Sequence, residues 1–247
     1  MAKNTIRLDK MLANMGIGTR KEIRQLAKAG RITVNDQIIK DVSKHIHLEK
    51  DLVELDGHFI QYRAFIYLMM NKPAGVLSAT TDRYDEVVID LLEDTHLHFE
   101  PFPVGRLDKD TEGLLLLTND GKLSHQLLAP KKHVPKTYYA QISGKVTSED
   151  QDKFKRGVTL DDGYLTKPAQ LKILHTRDHT SEIELTLTEG KFHQVKRMFE
   201  ALGKKVTYLK RISMGELILD PELDLGEYRE LTADEVALLQ KTYEPNL

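Results

Sequence analysis

Four leucines in a row, at 114–117, restrict this chain more than any other feature. An amphipathic helix or a half-exposed strand would interrupt such a run with polar residues. An uninterrupted run therefore predicts a strand covered on both faces. The residues before it are of a different kind: Gly105, Arg106, Leu107, Asp108, Lys109, Asp110, Thr111, Glu112 and Gly113 form a polar loop with a glycine near each end. The residues after it, Asn119-Asp120-Gly121, are those of a turn that tolerates positive φ. Asp108 is thus expected to stand at a fixed place in a loop with a rigid floor. Spacing alone leaves two readings open: a loop ion pair with Arg106, or a carboxylate held for chemistry.

The rest of the chain reads as short elements around that strand. Leu8, Met11, Leu12 and Met15 recur at helical spacing, and Gly16 and Gly18 stop the helix. Thr19 and Glu22 form a capping box for a second helix. Its Arg20, Arg24 and Lys28 sit four residues apart and share one exposed face. Two strands flank Asn35-Asp36, and a third precedes Asp56-Gly57. Residues 57–63 read as a polar linker. A buried strand follows at 64–70 and gives way to a loop at Asn71-Lys72-Pro73, because proline is excluded from a central strand. Later segments alternate between β-rich stretches, at 136–142, 171–174, 183–187 and 206–209, and helices. One helix is capped by Ser148 with Gln151, one buries Val195, Met198, Phe199 and Leu202, and one is capped by Thr232 with Glu235. In the second of these, Gln194, Lys196 and Arg197 are expected to face away from the buried stripe.

Charge qualifies what composition suggests. The 247 residues carry a net charge of -2, unpromising for a nucleic-acid binder. Residues 1–40, however, hold nine Lys or Arg against three acids, and 191–211 hold seven against one, while the stretch from 216 to 235 is acidic. Segregation of this kind marks polyanion-facing surfaces. There is no cysteine, which excludes disulfides, thiolate catalysis and thiolate metal sites and fits a cytoplasmic protein. No apolar run approaches the roughly 18 residues of a membrane span, and no signal core follows the N-terminus. The close histidine pairs, His45 with His47 and His96 with His98, lack the spacing of a helical zinc site. Nucleophile-elbow and phosphate-loop motifs are missing. No metal and no cofactor is expected. What remains is a framed aspartate with nearby cations, a tyrosine-bearing strand and basic surfaces. A carboxylate can work as nucleophile or base at a sugar carbon, so the residues allow an RNA-directed enzyme without naming it.

Two resemblances sharpen this. Arg7-Leu8-Asp9-Lys10-Met11-Leu12, Thr19-Arg20 and Ala29-Gly30-Arg31-Ile32-Thr33-Val34-Asn35 resemble the αL RNA-binding motif of a small-subunit ribosomal protein and of many RNA-modifying enzymes. Gly105-Arg106-Leu107-Asp108 with Thr111, Gly113 and the leucines resembles the catalytic signature of pseudouridine synthases. Asn71-Lys72-Pro73 with Gly75, Lys136-Thr137-Tyr138, and Gly190-Lys191 with 193–198 fill the family's other motif positions in order. The match is most similar to the branch that acts on small-subunit ribosomal RNA.

The resemblance implies an α+β protein. Its catalytic domain, at 64–247, would be a mixed, mostly antiparallel sheet flanked by helices, behind a small N-terminal α/β RNA-binding domain at 1–59. It implies isomerisation of a uridine within ribosomal RNA by a cytoplasmic monomer. By resemblance Asp108 is the catalytic carboxylate, as nucleophile or base. Tyr138 stacks on the flipped base, and Lys196 pairs with Asp108, leaving Arg106 free to reach the displaced nucleotide. Each role has a rationale. A carboxylate in a water-excluding site needs a nearby cation to stay ionised, and aromatic stacking offsets part of the cost of unstacking a base. Arg106, Lys136, His193, Gln194 and Arg197 are expected to contact the substrate at the catalytic domain, and Arg7, Arg20, Lys21, Arg24, Lys28 and Arg31 at the first domain. Two alternatives stand beside this reading: the same chemistry on large-subunit RNA, and a non-catalytic ribosomal RNA assembly factor. The intact set of Asp108, Tyr138 and Lys196 argues against the second.

Overall fold

The computed structural model describes residues 4–241. By chain contacts they fall into two compact units, 4–66 with 93–100, and 67–92 with 101–241. The first unit therefore runs past the boundary expected at 59–64 and takes in a segment from further along the chain.

In the first unit, α1 (Leu8–Asn14) and α2 (Arg20–Lys28) lie on a four-stranded antiparallel sheet. Its order is β3 (Gln37–Ile38), β2 (Ile32–Val34), β5 (Val53–Leu55), β6 (His58–Phe59). The predicted capping box is present: Thr19 N donates to Glu22 Oε2 at 2.7 Å and Glu22 N to Thr19 Oγ1 at 3.3 Å. Asn35 and Asp36 both adopt positive φ, as do Asp56 and Gly57, so each pair makes a tight hairpin turn. The second hairpin brings in β6 where a linker was expected. A further pairing, β1 (Thr5–Arg7) with β4 (His45–His47), has no counterpart in the sequence reading. Leu8, Met11, Leu12, Ile23, Ala27, Ile32 and Val53 share one core. The single turn α3 (Asp94–Leu97) belongs to this unit, and Gly16 accommodates His98, whose ring a Cβ there would meet at 2.9 Å.

The second unit is built on a nine-stranded sheet. Its main path runs β11 (Gln170–Thr176), β12 (Thr180–Leu187), β10 (Lys136–Ser143), β13 (Lys205–Met214), β9 (Glu112–Thr118), β7 (Tyr67–Lys72), β15 (Tyr228–Glu230). β8 (Phe102–Pro103) adds to β9, and β14 (Leu217–Ile218) to β13. Only β9 and β13 run parallel, so the sheet is mixed and mostly antiparallel.

The leucine run is the centre of this sheet. All four leucines are buried. Leu114 and Leu116 pack with Leu123 and Leu127 of α4 (Gly121–Leu128) and Leu239 of α7 (Ala233–Lys241), while Leu115 and Leu117 are buried on the opposite face. β9 pairs with β7 from Gly113 to Thr118 on one edge; the other is shared by β13 at Glu112 and Gly113 and by β8 at Leu117 and Thr118. Gly113 has φ +101°, and a Cβ there would lie 2.3 Å from the Arg211 carbonyl oxygen. The glycine is what lets β13 cross so close.

Three local expectations are corrected. Asn119-Asp120-Gly121 is not a positive-φ turn: Asp120 is the N-cap of α4, accepting hydrogen bonds from the backbone N–H groups of Lys122 and Leu123 at 3.0 Å. The box of α5 (Ser148–Arg156) is Thr147 with Asp150, one residue earlier than Ser148 with Gln151. β7 continues through Asn71 and Lys72 and stops only at Pro73. Thr232 and Glu235 do cap α7. Among the described residues no helix is long and apolar enough to cross a membrane.

Candidate active site

The 104–111 loop leaves β8 and enters β9, and buried groups hold it from below. Lys72, fully buried at the end of β7, donates to the carbonyls of Pro73 at 2.8 Å, Thr111 at 3.0 Å and Lys109 at 3.3 Å. Burial pushes its ammonium down to about 8, against the pull of Asp110, Glu112 and Asp108. Ser78 clamps Leu107 by both backbone groups, at 3.1 Å to its N–H and 3.0 Å to its carbonyl. Gly75 N donates to the Lys109 carbonyl at 2.7 Å. Asp108 therefore starts from a backbone fixed on both sides.

Its carboxylate meets α6 (Gln194–Glu200). Lys196 Nζ lies 3.3 Å from Asp108 Oδ2 and 2.6 Å from Asp110 Oδ1. Lys196 is 19% exposed and Asp108 27%, so the pair is largely removed from water. Burial works against the Lys196 ammonium, but the hydrogen bond to Asp110 and the charge of Asp108 outweigh it and raise its proton affinity. The Lys196 hydrogen bond holds Asp110 below its ordinary value. His193 comes within 3.7 Å of Asp108 Oδ1 from the α6 N-cap position, in a left-handed conformation, its ring stacked on Phe192 at 3.8 Å.

These groups border a recess of about 80 Å³. Tyr138, on β10 and buried, forms one wall, with Leu187 and Leu209 beside it. Arg106 stands exposed at the edge, outside any ion pair among the described residues. Thr111 Oγ1 is buried on the wall with no hydrogen-bond partner among the described residues. The arrangement can hold an ionised carboxylate against a small planar group beside an aromatic ring, and it presents a cation at the entrance.

Asp108, Tyr138, Lys196, His193 and Arg106 thus come together. The other named residues are placed differently. Gln194 is buried instead of facing out. Its Nε2 donates to Glu189 at 2.5 Å and its Oε1 accepts from Lys191 N at 2.8 Å, which ties the 189–191 loop to the helix. Arg197 is held by Asp161 and Asp162. Lys136 turns inward and donates to the Val134 carbonyl at 3.2 Å. In the first unit Arg20, Lys21, Arg24 and Lys28 are exposed on α2, whereas Arg7 pairs with the buried Asp9 at 2.7 Å and Arg31 with Asp56 at 2.5 Å. Sequence reasoning missed Asp110 as a second partner of Lys196 and Lys72 as the loop's anchor. The alternation of Asp108 and Asp110 was a usable signal for the first. The second had none, since the carbonyls it binds are remote in sequence.

The sequence matches the family model for RNA pseudouridylate synthase over residues 66–201 and that for the S4 domain over 6–53. An uncharacterized RNA pseudouridine synthase of Bacillus subtilis (strain 168) is 52% identical over 236 residues, covering 96% of this chain and 99% of the relative. A ribosomal small subunit pseudouridine synthase A of Vibrio cholerae is 41% identical, covering 96% of this chain and all of the relative. A ribosomal large subunit pseudouridine synthase B of Bacillus subtilis is 38% identical, covering 95% of each chain. A crystal structure of a pseudouridylate synthase superposes with a TM-score of 0.66 at 35% identity, covering 95% of this chain and 99% of the other.

Proposed function

The chain belongs to the RNA pseudouridylate synthase family, with an S4 domain in its first unit, and from that premise we propose that its substrate is a uridine of small-subunit ribosomal RNA. The reaction of the family breaks the N1–C1′ bond of uridine, turns the uracil, and joins C5 to C1′; the C5 proton is lost and N1 ends protonated, so no atom is gained. In this reading residues 1–59 serve RNA binding and 64–247 catalysis. Asp108 acts at the sugar, as nucleophile at C1′ or as base. Tyr138 stacks on the uracil and keeps it in the recess while it turns. Lys196 orients and compensates the carboxylate. Arg106, outside any ion pair among the described residues, fills or braces the space that the extruded nucleotide leaves in the RNA. A monomer suffices, because one chain supplies all four side chains.

The observation that carries this reading is the Lys196–Asp108 contact at 3.3 Å beside the Tyr138 wall of the recess. The choice of small-subunit RNA is supported by the name of the Vibrio cholerae relative. The Bacillus subtilis relative named for the large subunit, only slightly less similar, favours large-subunit RNA as the second reading. Both are tested together. The protein is incubated with each ribosomal RNA, free and in partly assembled particles, and pseudouridine is mapped by carbodiimide-dependent reverse-transcription stops. One new stop in small-subunit RNA, lost with Asp108→Asn, is the expected result. A stop confined to large-subunit RNA replaces the substrate, and an undiminished stop with Asp108→Asn removes the role given to that residue.

A further inference from the structure

Beside the recess lies a second, larger groove of about 300 Å³, whose walls include Arg106, Tyr138, Gly190 and Lys191, all shared with the recess. Arg211 of β13 reaches this groove. It pairs across strands with Tyr138 and is only 2% exposed. Its Nε donates to the Leu114 carbonyl at 2.8 Å, but its Nη2 is buried without a hydrogen-bond partner among the described residues. A buried guanidinium nitrogen left unsatisfied is costly and calls for an occupant. Lys136 lines the same groove. Burial, and then the charge of Arg211, push its ammonium down to about 8. Five cations thus line one groove, Arg106, Lys167 and Lys191 beside these two, and among the described residues neither Arg211 nor Lys136 has a carboxylate partner. The groove's one acid, Glu189, is already engaged, accepting from Tyr164 Oη at 2.8 Å, Lys167 N at 2.9 Å and Gln194 Nε2 at 2.5 Å.

We propose that this groove is a phosphodiester subsite, built on Arg211 and Lys136, that takes the RNA backbone phosphate adjoining the nucleotide held in the recess. It rests on the reading of the recess as the uridine site. The shared walls make the link. A ligand seated against Tyr138 has its neighbouring phosphate within reach of the groove, so the two spaces suit parts of one molecule. A phosphate oxygen would satisfy Nη2 with a charge-assisted bond and relieve the repulsion between the two cations. Arg211 then does what a surface lysine does not: it reads the position of one phosphate and so fixes which nucleotide enters the recess.

The test uses the full chain and an RNA carrying the mapped uridine, with the phosphate on its 5′ or its 3′ side replaced, one at a time, by a neutral methylphosphonate. Binding of wild type is expected to weaken about tenfold for one of the two positions. With Lys136→Met the same replacement costs less than about threefold, because the contact is already weakened. Arg211→Lys, which keeps the charge and loses the fork, repeats the comparison, and Lys136→Met keeps the test valid should the Arg211 variant fail to fold. Inorganic phosphate is titrated against RNA binding at constant ionic strength. Competition in wild type that is lost in Lys136→Met supports an anion site, and the methylphosphonate arm assigns it to the RNA. If neither neutral position matters, the RNA assignment is overturned, whether or not free phosphate competes. Unmodified RNA runs in parallel. Absence of isomerisation there counts against the uridine reading, whereas isomerisation indifferent to both replacements counts against the subsite alone.

Discussion

Replacing Lys196 with methionine tests the electrostatics of the site most directly. Methionine keeps the length and the packing of the stem while removing the charge. At 3.3 Å, two unit charges attract by about 5 kcal/mol at an effective dielectric of ~20 and by about 1 kcal/mol in bulk water. Lys196 and Asp108 are 19% and 27% exposed, which places the pair between these limits. Part of the lysine is also committed to Asp110, itself mostly exposed and therefore screened. About 2 kcal/mol is left for the contact with Asp108. If that energy holds the carboxylate in its working position, Lys196→Met should lower the single-turnover rate of pseudouridine formation about 30-fold. Binding of RNA should change far less. Asp110→Asn should leave the rate within about threefold of wild type, since it removes only the exposed competitor. A cycle of Asp108→Asn, Lys196→Met and the double variant, read by urea unfolding, gives the coupling independently of catalysis. A Lys196→Met protein that folds normally and turns over at the wild-type rate would refute the reasoning, as would a coupling energy near zero.

Three other outcomes follow from the geometry. Gly113→Ala drives a Cβ to 2.3 Å from the Arg211 carbonyl at φ +101°, so it should cost about 3 kcal/mol or more in urea-unfolding stability; a loss under about 1 kcal/mol would mean β9 and β13 can separate cheaply. Lys72 has its folded value lowered from 10.5 to about 8, so between those pH values the unfolded chain binds more protons and stability rises with pH; wild type should gain about 1 kcal/mol on Lys72→Met between pH 7 and pH 9, and a difference that is flat with pH contradicts the burial of a charged ammonium. Arg20→Ala with Arg24→Ala removes two exposed cations of α2 and should flatten the dependence of log affinity on log salt by about one to two units; an unchanged slope makes the row a solvated face.

What could be read from the sequence follows the range of the forces involved. The leucine strand was legible because two-sided burial leaves a compositional mark. The capping boxes at Thr19 and Thr232 were legible because a cap is settled within four residues. Asp120 shows the limit: the residue types that favour a turn also favour an N-cap, and only the helix behind it decides. β1 and β4 are three residues each, with mixed exposure and no alternation, and they exist through pairing with each other across forty residues of chain. At the site the same division holds. Asp108 stood out by its framing in the loop. Gln194 was read as facing outward from helical spacing, and a bond to Glu189 in the preceding loop turns it in. Lys196 could be placed near Asp108 only through the resemblance, and its second partner, Asp110, is 86 residues distant.

The site combines two demands that oppose each other. Asp108, Asp110 and Glu112 lie within five residues, and their loop must receive a polyanion. Cations at three depths resolve this. Lys72, fully buried, is spent on backbone carbonyls, so its charge fixes the loop and offsets the acids from beneath without competing for the carboxylate. Lys196, partly buried, is paired with Asp108 and Asp110 and leaves the face of the recess to the substrate. Arg106, exposed at the edge and outside any ion pair among the described residues, is left free, which suits the RNA contact proposed for it. Exchanging these depths would fail in definite ways. A free cation in place of Lys72 would take from the carbonyls of Lys109 and Thr111 the donor they share and leave the loop without its lysine anchor. An Arg106 bound to Asp108, the pairing that spacing alone allowed, would tie up both the carboxylate and the entrance. Keeping Arg106 unpaired therefore depends on α6 delivering Lys196 to Asp108 from the other side, so the helix that follows Gly190 is as necessary to the site as the loop that carries the aspartate.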